Sequence, residues 1–228
     1  MTKPLIIAID GPAGAGKSTV ARMLAERLGL PYVDSGATYR AAALKVLQSG
    51  VALDDQDEVG RVVSSAEIQF LAGDRQPKVL LDGKDVTAEI RSSEVTYAAA
   101  RVSRLPEVRK KLISLQRSLV TGPGVVMEGR DIGTVVFPEA PLKIFLKADP
   151  EERARRRLHQ NHQEGRPSTL KDTISEISNR DQLDAERKVS PLVAAPDAHV
   201  IDSTQLTAEQ VVEKIMGLAR RTKLLTAP

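Results

Sequence analysis

Short apolar runs alternate along the chain with longer segments in which apolar residues recur at helical spacing. The apolar runs lie at 5–9, 125–127, 142–146 and 199–201, and they predict strands that are covered on both faces. Because strands and helices alternate, the pattern predicts an α/β fold with a parallel central sheet flanked by helices. The predicted helices lie at 17–28, 37–47, 57–66, 95–102, 108–120, 151–163, 170–183 and 207–221.

A different pattern begins near residue 67. Ile68 and Phe70 alternate with polar residues, and the apolar run Val79-Leu80-Leu81 is followed by Asp82-Gly83. Alternation favours a strand with one exposed face, and Asp-Gly between apolar runs is a hairpin signal. We therefore predict a small antiparallel sheet at about 67–90, inserted into a helical region.

Composition and charge narrow the possible functions. The 228 residues are 41% hydrophobic and 28% charged, which is ordinary for a soluble globular protein. With three Tyr, three Phe and no Trp, a single-strand nucleic-acid binder that stacks bases on aromatic rings is disfavoured. The absence of Cys excludes disulfides, thiolate zinc sites and a thiol nucleophile. No apolar run suits a signal peptide or a membrane span, so we expect a cytoplasmic protein with no membrane partner.

A phosphate-binding motif follows the first predicted strand and opens the first predicted helix. The segment from Gly11 to Ser18 fits G-x-x-x-x-G-K-[ST] at every fixed position. Its backbone N–H groups can surround phosphate oxygens, while Lys17 reaches the β- and γ-phosphates and Ser18 offers its hydroxyl to Mg²⁺. The predicted contacts to ATP and Mg²⁺ come from Gly11, Pro12, Ala13, Gly14, Ala15, Gly16, Lys17, Ser18 and Thr19.

The motif is shared by switches, motors and kinases, so other features must separate these classes. The guanine-reading sequence Asn-Lys-x-Asp is absent, since neither Asn161 nor Asn179 begins it. A motor needs more chain for its coupling elements, which leaves a small phosphotransferase with a second pocket for the acceptor. If that acceptor carries a phosphate, arginine suits the pocket, because its planar fork binds phosphate oxygens and keeps its proton. Arg130 follows the strand at 125–127, at the sheet edge where open α/β sheets bind ligands.

Several longer segments resemble the bacterial cytidylate kinases of the nucleoside monophosphate kinase family, over nearly the whole chain. The longest is Gly129-Arg130-Asp131-Ile132-Gly133-Thr134-Val135-Val136-Phe137-Pro138. The others are Asp34-Ser35-Gly36-Ala37-Thr38-Tyr39-Arg40, Lys143-Ile144-Phe145-Leu146, Glu151-Glu152-Arg153-Ala154 and Ile201-Asp202-Ser203-Thr204. The resemblance implies a P-loop three-layer domain with a core at about 1–35, 120–150 and 190–228, a monophosphate-binding region with the β insertion at about 36–119, and a helical lid at about 151–189.

The resemblance also implies a role for individual residues toward the acceptor. A carboxylate can accept a hydrogen bond from the amino group of cytosine, and a guanidinium can donate to its O2 and N3 atoms. Ala100 departs from the Ser that relatives often carry, so the strictness of discrimination against UMP stays open. The implied phosphate contacts are Arg40, Arg130 and Arg187, the base contacts are Arg109, Asp131 and Ser35, and the ribose contacts are Arg180 and Asp184.

The charged helix at 151–163 belongs, by the same resemblance, to a lid over ATP. Arg153 and Arg157 are four residues apart and share one helix face, so both are candidates for contact with the triphosphate. The expected catalytic groups neutralise charge rather than move protons, and they are Lys17, Arg130, Arg157 and Arg187.

The implied reaction is phosphoryl transfer from ATP to CMP or dCMP by a monomer. One alternative is another small-molecule P-loop kinase, which acts on UMP, another nucleotide or a hydroxy acid. A nucleotide-gated nucleic-acid-binding module is the alternative from a different class, given the basic isoelectric point. Acidic residues are interspersed among the basic ones, whereas nucleic-acid footprints have clustered, unopposed cations, so we expect no nucleic-acid partner.

Overall fold

The structure, a computed structural model, describes residues 4–71, 77–163, 165–185, 187, 189–222 and 224. Residues 72–76 of the predicted insertion and residues 164, 186 and 188 of the predicted lid lie outside the described residues. The chain forms two compact units: Met1–Tyr32 with Gly122–Pro228, and Val33–Thr121. The nucleotide-binding roles that the sequence assigns to the three regions stay predictions.

Two sheets form the β structure of the described residues. The larger sheet has the strand order β2-β6-β1-β7-β8, and β1 pairs in parallel with both β6 and β7. The smaller sheet has the order β3-β4-β5 and is antiparallel. Both the parallel α/β sheet and the antiparallel insertion are therefore confirmed. The strands are β1 (Leu5–Asp10), β2 (Tyr32–Asp34), β3 (Ile68–Leu71), β4 (Lys78–Leu81), β5 (Lys84–Asp85), β6 (Gly124–Gly129), β7 (Leu142–Lys147) and β8 (His199–Asp202).

The helices follow the predicted order, with ends that shift by a few residues. A short 3₁₀ turn at Glu89–Arg91 and a π-helical turn at Ile132–Val136 add to them. The α-helices are α1 (Lys17–Leu28), α2 (Ser35–Ser49), α3 (Gln56–Ser65), α4 (Ser93–Val102), α5 (Pro106–Ser118), α6 (Pro150–Gln163), α7 (Leu170–Ala185) and α8 (Ala208–Arg221). Within the described residues, none of these helices is long and apolar enough to cross a bilayer.

Strand β2 and the π-helical turn were absent from the elements that the hydrophobic pattern predicts. Three residues are too few to show an alternating pattern, and β2 passes directly into α2. The carboxylate of Asp34 caps α2 by accepting a hydrogen bond from the backbone N–H of Ala37 at 3.2 Å. This cap lets the helix include Ser35 and Gly36, which carry no helical signal of their own.

The core of the first unit is aliphatic and holds the strand ends in place. Ile7 and Ile9 of β1 are fully buried together with Leu24 of α1 and Ile215 of α8. Alternate residues of a strand point to the same face, so α1 and α8 cover one face of the sheet. The carboxyl ends of β1, β6 and β7 thereby come side by side.

The second unit has its own core, to which α2 contributes several small side chains. Ala41, Ala42 and Ala43 are fully buried and pack with apolar residues of α3, α4 and α5. The antiparallel sheet contributes Val79 and Leu81 to the same cluster. The inserted sheet therefore belongs to the core of this unit.

We expect Thr207→Ala to lower the free energy of unfolding by about 1 kcal/mol, because Thr207 caps α8. Its hydroxyl accepts a hydrogen bond from the backbone N–H of Gln210 at 3.2 Å, and the Gln210 side chain accepts one from the Thr207 N–H at 2.9 Å. Urea unfolding followed by circular dichroism measures the loss. Thr207→Ser keeps the hydroxyl and is the matched control; an equal loss in both variants would contradict the capping role.

Candidate functional site

The P-loop connects β1 to α1, and close packing of its backbone determines its course. Gly11 has a φ of 147°, and a Cβ atom there would overlap the carbonyl oxygen of Leu146 in β7. A Cβ atom at Gly14 would lie 2.7 Å from the carbonyl oxygen of Arg153 in α6. Both positions therefore require glycine, because any side chain would push the loop away from β7 or α6.

Lys17 is the first residue of α1, and its side chain is buried beneath the loop. Its ammonium group donates a hydrogen bond to the carbonyl oxygen of Pro12 at 2.8 Å. Burial and, next, the positive charge of Arg130 lower the pKa of Lys17 to about 7, although the carboxylate of Glu128 opposes this shift. An anionic ligand in the loop would favour the charged form of Lys17, so the site is electrostatically suited to phosphate.

Ser18 and Glu128 bring two kinds of oxygen together beside the P-loop. The Ser18 hydroxyl donates a hydrogen bond to the Glu128 carboxylate, which also accepts one from the Tyr32 hydroxyl at 3.1 Å. Glu128 was not predicted as a site residue. A signal for it existed, since this acidic residue lies in the wholly buried strand β6, directly before the Gly129-Arg130-Asp131 segment.

The carboxylate of Asp184 in α7 joins two of the predicted arginines. It accepts a hydrogen bond from Nε of Arg130 at 2.7 Å and an ion-pair hydrogen bond from Arg187. Burial alone would raise the pKa of Asp184, whose side chain is 2% exposed, but Arg130, Arg187 and Arg180 outweigh it and hold that pKa below its ordinary value. Four predicted residues from two segments of the chain therefore form one charge network.

The two predicted lid arginines make different contacts. Arg153 is buried and donates hydrogen bonds to the P-loop carbonyl oxygen of Ala13 at 3.2 Å and to that of Ala148 at 3.1 Å, and it pairs with Asp181. Arg157 pairs with Glu176 of α7 at 3.2 Å. Arg153 thus contacts the P-loop backbone directly, whereas the ion pair between Arg157 and Glu176 links α6 to α7.

Arg156, which was not among the predicted site residues, is linked to the P-loop through Ser203. Its guanidinium donates hydrogen bonds to the hydroxyl and the carbonyl oxygen of Ser203, at 3.0 and 2.7 Å. The Ser203 hydroxyl lies 3.1 Å from the carbonyl oxygen of Ala15, to which it donates. Ser203 belongs to the Ile201–Thr204 segment, so its match to a family motif was the available signal.

The second unit contains Ser35 and Arg40 at the start of α2. Arg40 pairs with Asp34 at 2.6 Å. Burial alone would raise the pKa of Asp34, but the charges of Arg40 and Arg91 and the hydrogen bonds it accepts hold that pKa below its ordinary value. Ser35 is buried, and its carbonyl oxygen accepts a hydrogen bond from the Thr38 hydroxyl at 2.7 Å.

Arg109 in α5 is the largest fully buried polar side chain of the second unit. It is 2% exposed, and its guanidinium carbon lies 5.6 Å from the centre of the Tyr39 ring. The guanidinium donates a hydrogen bond to the carbonyl oxygen of Ser103 at 3.3 Å. Because arginine keeps its proton, this unit contains a permanent positive charge in its interior. Asp131, its predicted partner in base recognition, is also buried but belongs to the first unit.

Comparisons with known proteins point to one family. The profile of a family described as cytidylate kinase matches residues 7–221. A cytidylate kinase of Pelotomaculum thermopropionicum is 50% identical over 212 residues, which cover 92% of this chain and 94% of that protein. A cytidylate kinase of Azotobacter vinelandii is 48% identical over 217 residues, which cover 94% of this chain and 95% of that protein.

Among solved structures, an uncharacterised protein of Eubacterium ventriosum superposes with a TM-score of 0.50. It is 12% identical, and the match covers 95% of this chain and 98% of that one. At this identity the likeness concerns the fold alone.

We expect Asp184→Asn to lower the free energy of unfolding by about 3 kcal/mol at neutral pH, because it removes the carboxylate that pairs with two buried guanidinium groups. Because the pKa of Asp184 is lower in the folded than in the unfolded protein, its carboxylate stabilises the fold fully above the ordinary pKa of 3.8. This contribution to the free energy of unfolding is lost as the pH falls through the pKa of the folded state. Urea unfolding should therefore show a difference in stability between the wild type and Asp184→Asn at about pH 7, and this difference should shrink toward about pH 3.

The matched control for this experiment is Glu151→Gln. Glu151 pairs with Arg155 on the surface of α6, where the two side chains are 59% and 63% exposed. Exposed pairs of this kind contribute little, so the unfolding curve should hardly move. A loss as large as that of Asp184→Asn would contradict the role assigned to burial.

Proposed function

The chain belongs to the cytidylate kinase family, and we propose that it transfers the γ-phosphoryl group of ATP to CMP or dCMP through the residues described above. The match of the family profile to residues 7–221, which include the whole P-loop, carries this assignment. The products are ADP and CDP or dCDP. No general base is needed, because the attacking oxygen belongs to a phosphate that is largely dianionic at neutral pH.

The P-loop is proposed to hold the phosphates of ATP. Its backbone N–H groups and the N-terminus of α1 favour negative charge at this position. Lys17 is proposed to neutralise the β- and γ-phosphates, which would offset the cost of its burial. Transfer then depends on holding two phosphate groups in line and neutralising their charge.

Ser18 and Glu128 are the residues proposed to hold Mg²⁺. A hydroxyl and a carboxylate oxygen fit the preference of Mg²⁺ for oxygen ligands, and their direct hydrogen bond brings both to one point. No group of three or more His, Asp or Glu side chains suited to a metal occurs in the described part of the chain, so phosphate oxygens and water would complete the coordination. Bound there, the ion would neutralise charge on the β- and γ-phosphates.

Arginines are proposed to hold the phosphate of CMP. Arg130 and Arg187 are both oriented by Asp184, so their guanidinium groups are arranged before the ligand arrives. Arg40, oriented by Asp34, is the proposed contribution of the second unit. Arg180 and Asp184 are proposed to meet the ribose.

Base recognition is proposed to rest on hydrogen bonds from Arg109 and Asp131, with Ser35 assisting. The Asp131 carboxylate would accept from the cytosine N4 amino group, and Arg109 would donate to O2 and N3. Uracil carries a carbonyl group in place of that amino group, and a carboxylate cannot donate to it. This pairing favours CMP over UMP.

The lid is proposed to contribute further contacts to ATP. Arg153 and Arg157 are proposed to approach the triphosphate when residues of α6 and α7 close over it, which would exclude water from the transfer.

We propose that the enzyme is a cytoplasmic monomer without a nucleic-acid partner. In the basic stretch that begins at Arg101, that residue pairs with Asp54 and Arg109 is buried, which leaves less exposed charge for a phosphate backbone.

We expect Lys17→Ala to reduce ATP-dependent phosphorylation of CMP by at least about a thousandfold, because the variant loses the cation proposed to neutralise the transferring group. A coupled assay of ADP formation measures the rate, and circular dichroism checks the fold. Lys171→Ala removes an exposed lysine of α7 and should leave the rate unchanged. Full turnover in Lys17→Ala would refute the role of this lysine.

We expect Asp131→Asn to reduce the ratio of kcat/KM for CMP to kcat/KM for UMP by about tenfold, because the neutral amide no longer favours the amino group so strongly. The wild-type protein is first tested with ATP and a panel of CMP, dCMP, UMP and AMP. A preference for UMP or AMP in that panel would support another P-loop kinase. An unchanged ratio in the variant would count against base recognition by Asp131.

A further inference from the structure

Asp10 is a buried carboxylate that none of the proposed contacts to the substrates uses. It ends β1, directly before the first residue of the P-loop, and it is 5% exposed. Its Oδ1 atom accepts a hydrogen bond from the backbone N–H of Ile132 at 2.8 Å, and its Oδ2 atom accepts one from Gly133 at 2.7 Å. Both carboxylate oxygens are thus bound to two consecutive amide groups.

Those two amides begin the π-helical turn that follows Gly129-Arg130-Asp131. The first N–H groups of a helical turn have no partner within it, and a neighbouring side chain usually caps them. Asp131 stands at the capping position, yet its own side chain does not cap this turn. The cap comes instead from Asp10, 122 residues earlier in the chain.

The contact between Asp10 and the turn is tight. A Cβ atom at Gly133 would lie 3.4 Å from Oδ2 of Asp10 and 3.2 Å from Cδ of Lys143. The two short hydrogen bonds to Asp10 therefore hold the turn against the end of β1. Since Asp10 is covalently linked to Gly11, the position of residues 129–131 is coupled to the first residue of the P-loop.

A buried carboxylate is a costly way to cap two amides. Burial is the largest cause that raises the pKa of Asp10 to about 6, against the opposing hydrogen bonds from Gly133 and Ile132. The charge of Asp131 adds to this rise, and the charge of Lys17 opposes it. An uncharged side chain could cap one amide without this cost. Only a carboxylate offers two equivalent acceptor oxygens and no donor, which is what two adjacent N–H groups require.

We propose that Asp10 is a positioning residue for the acceptor: it holds the segment that carries Arg130 and Asp131 at a fixed position relative to the P-loop. This inference rests on the proposed function, in which these two residues bind CMP. Loss of one of its two hydrogen bonds would displace the acceptor contacts while the P-loop keeps its packing against β7 and α6. The KM for CMP should then change much more than the KM for ATP.

Asp10→Asn tests the proposal, because asparagine has the same shape but only one acceptor oxygen, and its NH₂ group must face an N–H. We expect the KM for CMP to rise by about tenfold, the factor that corresponds to one lost hydrogen bond to a charged group. The KM for ATP should stay within about twofold. The preference for CMP over UMP should fall as well, because Asp131 moves.

Asp55→Asn is the matched control. Asp55 caps α3 by accepting a hydrogen bond from the backbone N–H of Glu58 at 3.0 Å, and it has no proposed contact with either substrate. The same chemical change should leave both KM values unchanged. A role of Asp10 in stability alone would lower the amount of active enzyme, and hence the apparent kcat, without separating the two KM values.

A second variant covers the case in which Asp10→Asn does not fold. Gly133→Ala places a methyl group 3.2 Å from Cδ of Lys143 and 3.4 Å from Oδ2 of Asp10, so the turn has to shift slightly, and the variant should also raise the KM for CMP selectively. Equal changes in both KM values, or a change in kcat alone, would overturn the proposal in either variant. The wild-type acceptor panel separates the two failures: no activity with CMP refutes the proposed function, whereas activity without a KM split refutes the positioning role.

Discussion

The close contact of the P-loop backbone with β7 and α6 is the constraint on which the rest of the site depends. No side chain fits at Gly11 beside the Leu146 carbonyl group, and Gly14 lies directly against the backbone of Arg153. This packing brings the first turns of α6 to the loop, so that Arg153 can donate to the carbonyl oxygen of Ala13. The adjacent carboxyl ends of β1 and β6 supply Asp10 and Glu128.

Charged groups that are buried or half-buried in this protein are held by oppositely charged partners. Asp184 orients Arg130 and Arg187, Asp181 pairs with Arg153, and Asp34 pairs with Arg40. A charged group that already has a partner in the folded protein loses little freedom when a phosphate binds, which is the physical content of preorganisation. The small net charge of +3 in a chain with 33 basic residues reflects this balance.

Much of the fold could be predicted from the sequence because its signals are local. The P-loop motif, the apolar run of β1 and the periodicity of α1 lie next to one another, and Asp82-Gly83 indicated the β4–β5 hairpin. The π-helical turn could not be predicted in this way, because its cap comes from Asp10.

The contacts of the site were harder to predict than its residues. The segments that carry Arg130, Arg187 and Asp184 could be identified, but their shared ion-pair network joins residues 54 positions apart. Glu128 was missed because its partner Ser18 lies 110 residues away, and its place at the end of an apolar strand was the available signal. Arg156 was missed for the same reason, since its contact with Ser203 exists only in the folded chain.

The anchoring of α6 limits how the predicted lid can move. Arg153 attaches the first turn to the P-loop and to Asp181 of α7, and Arg156 attaches the next turn to Ser203. A rigid swing of the whole helix would break these bonds together. Closure that preserves these bonds has to bend the chain beyond Arg156, so the base of α6 remains part of the phosphate-binding platform.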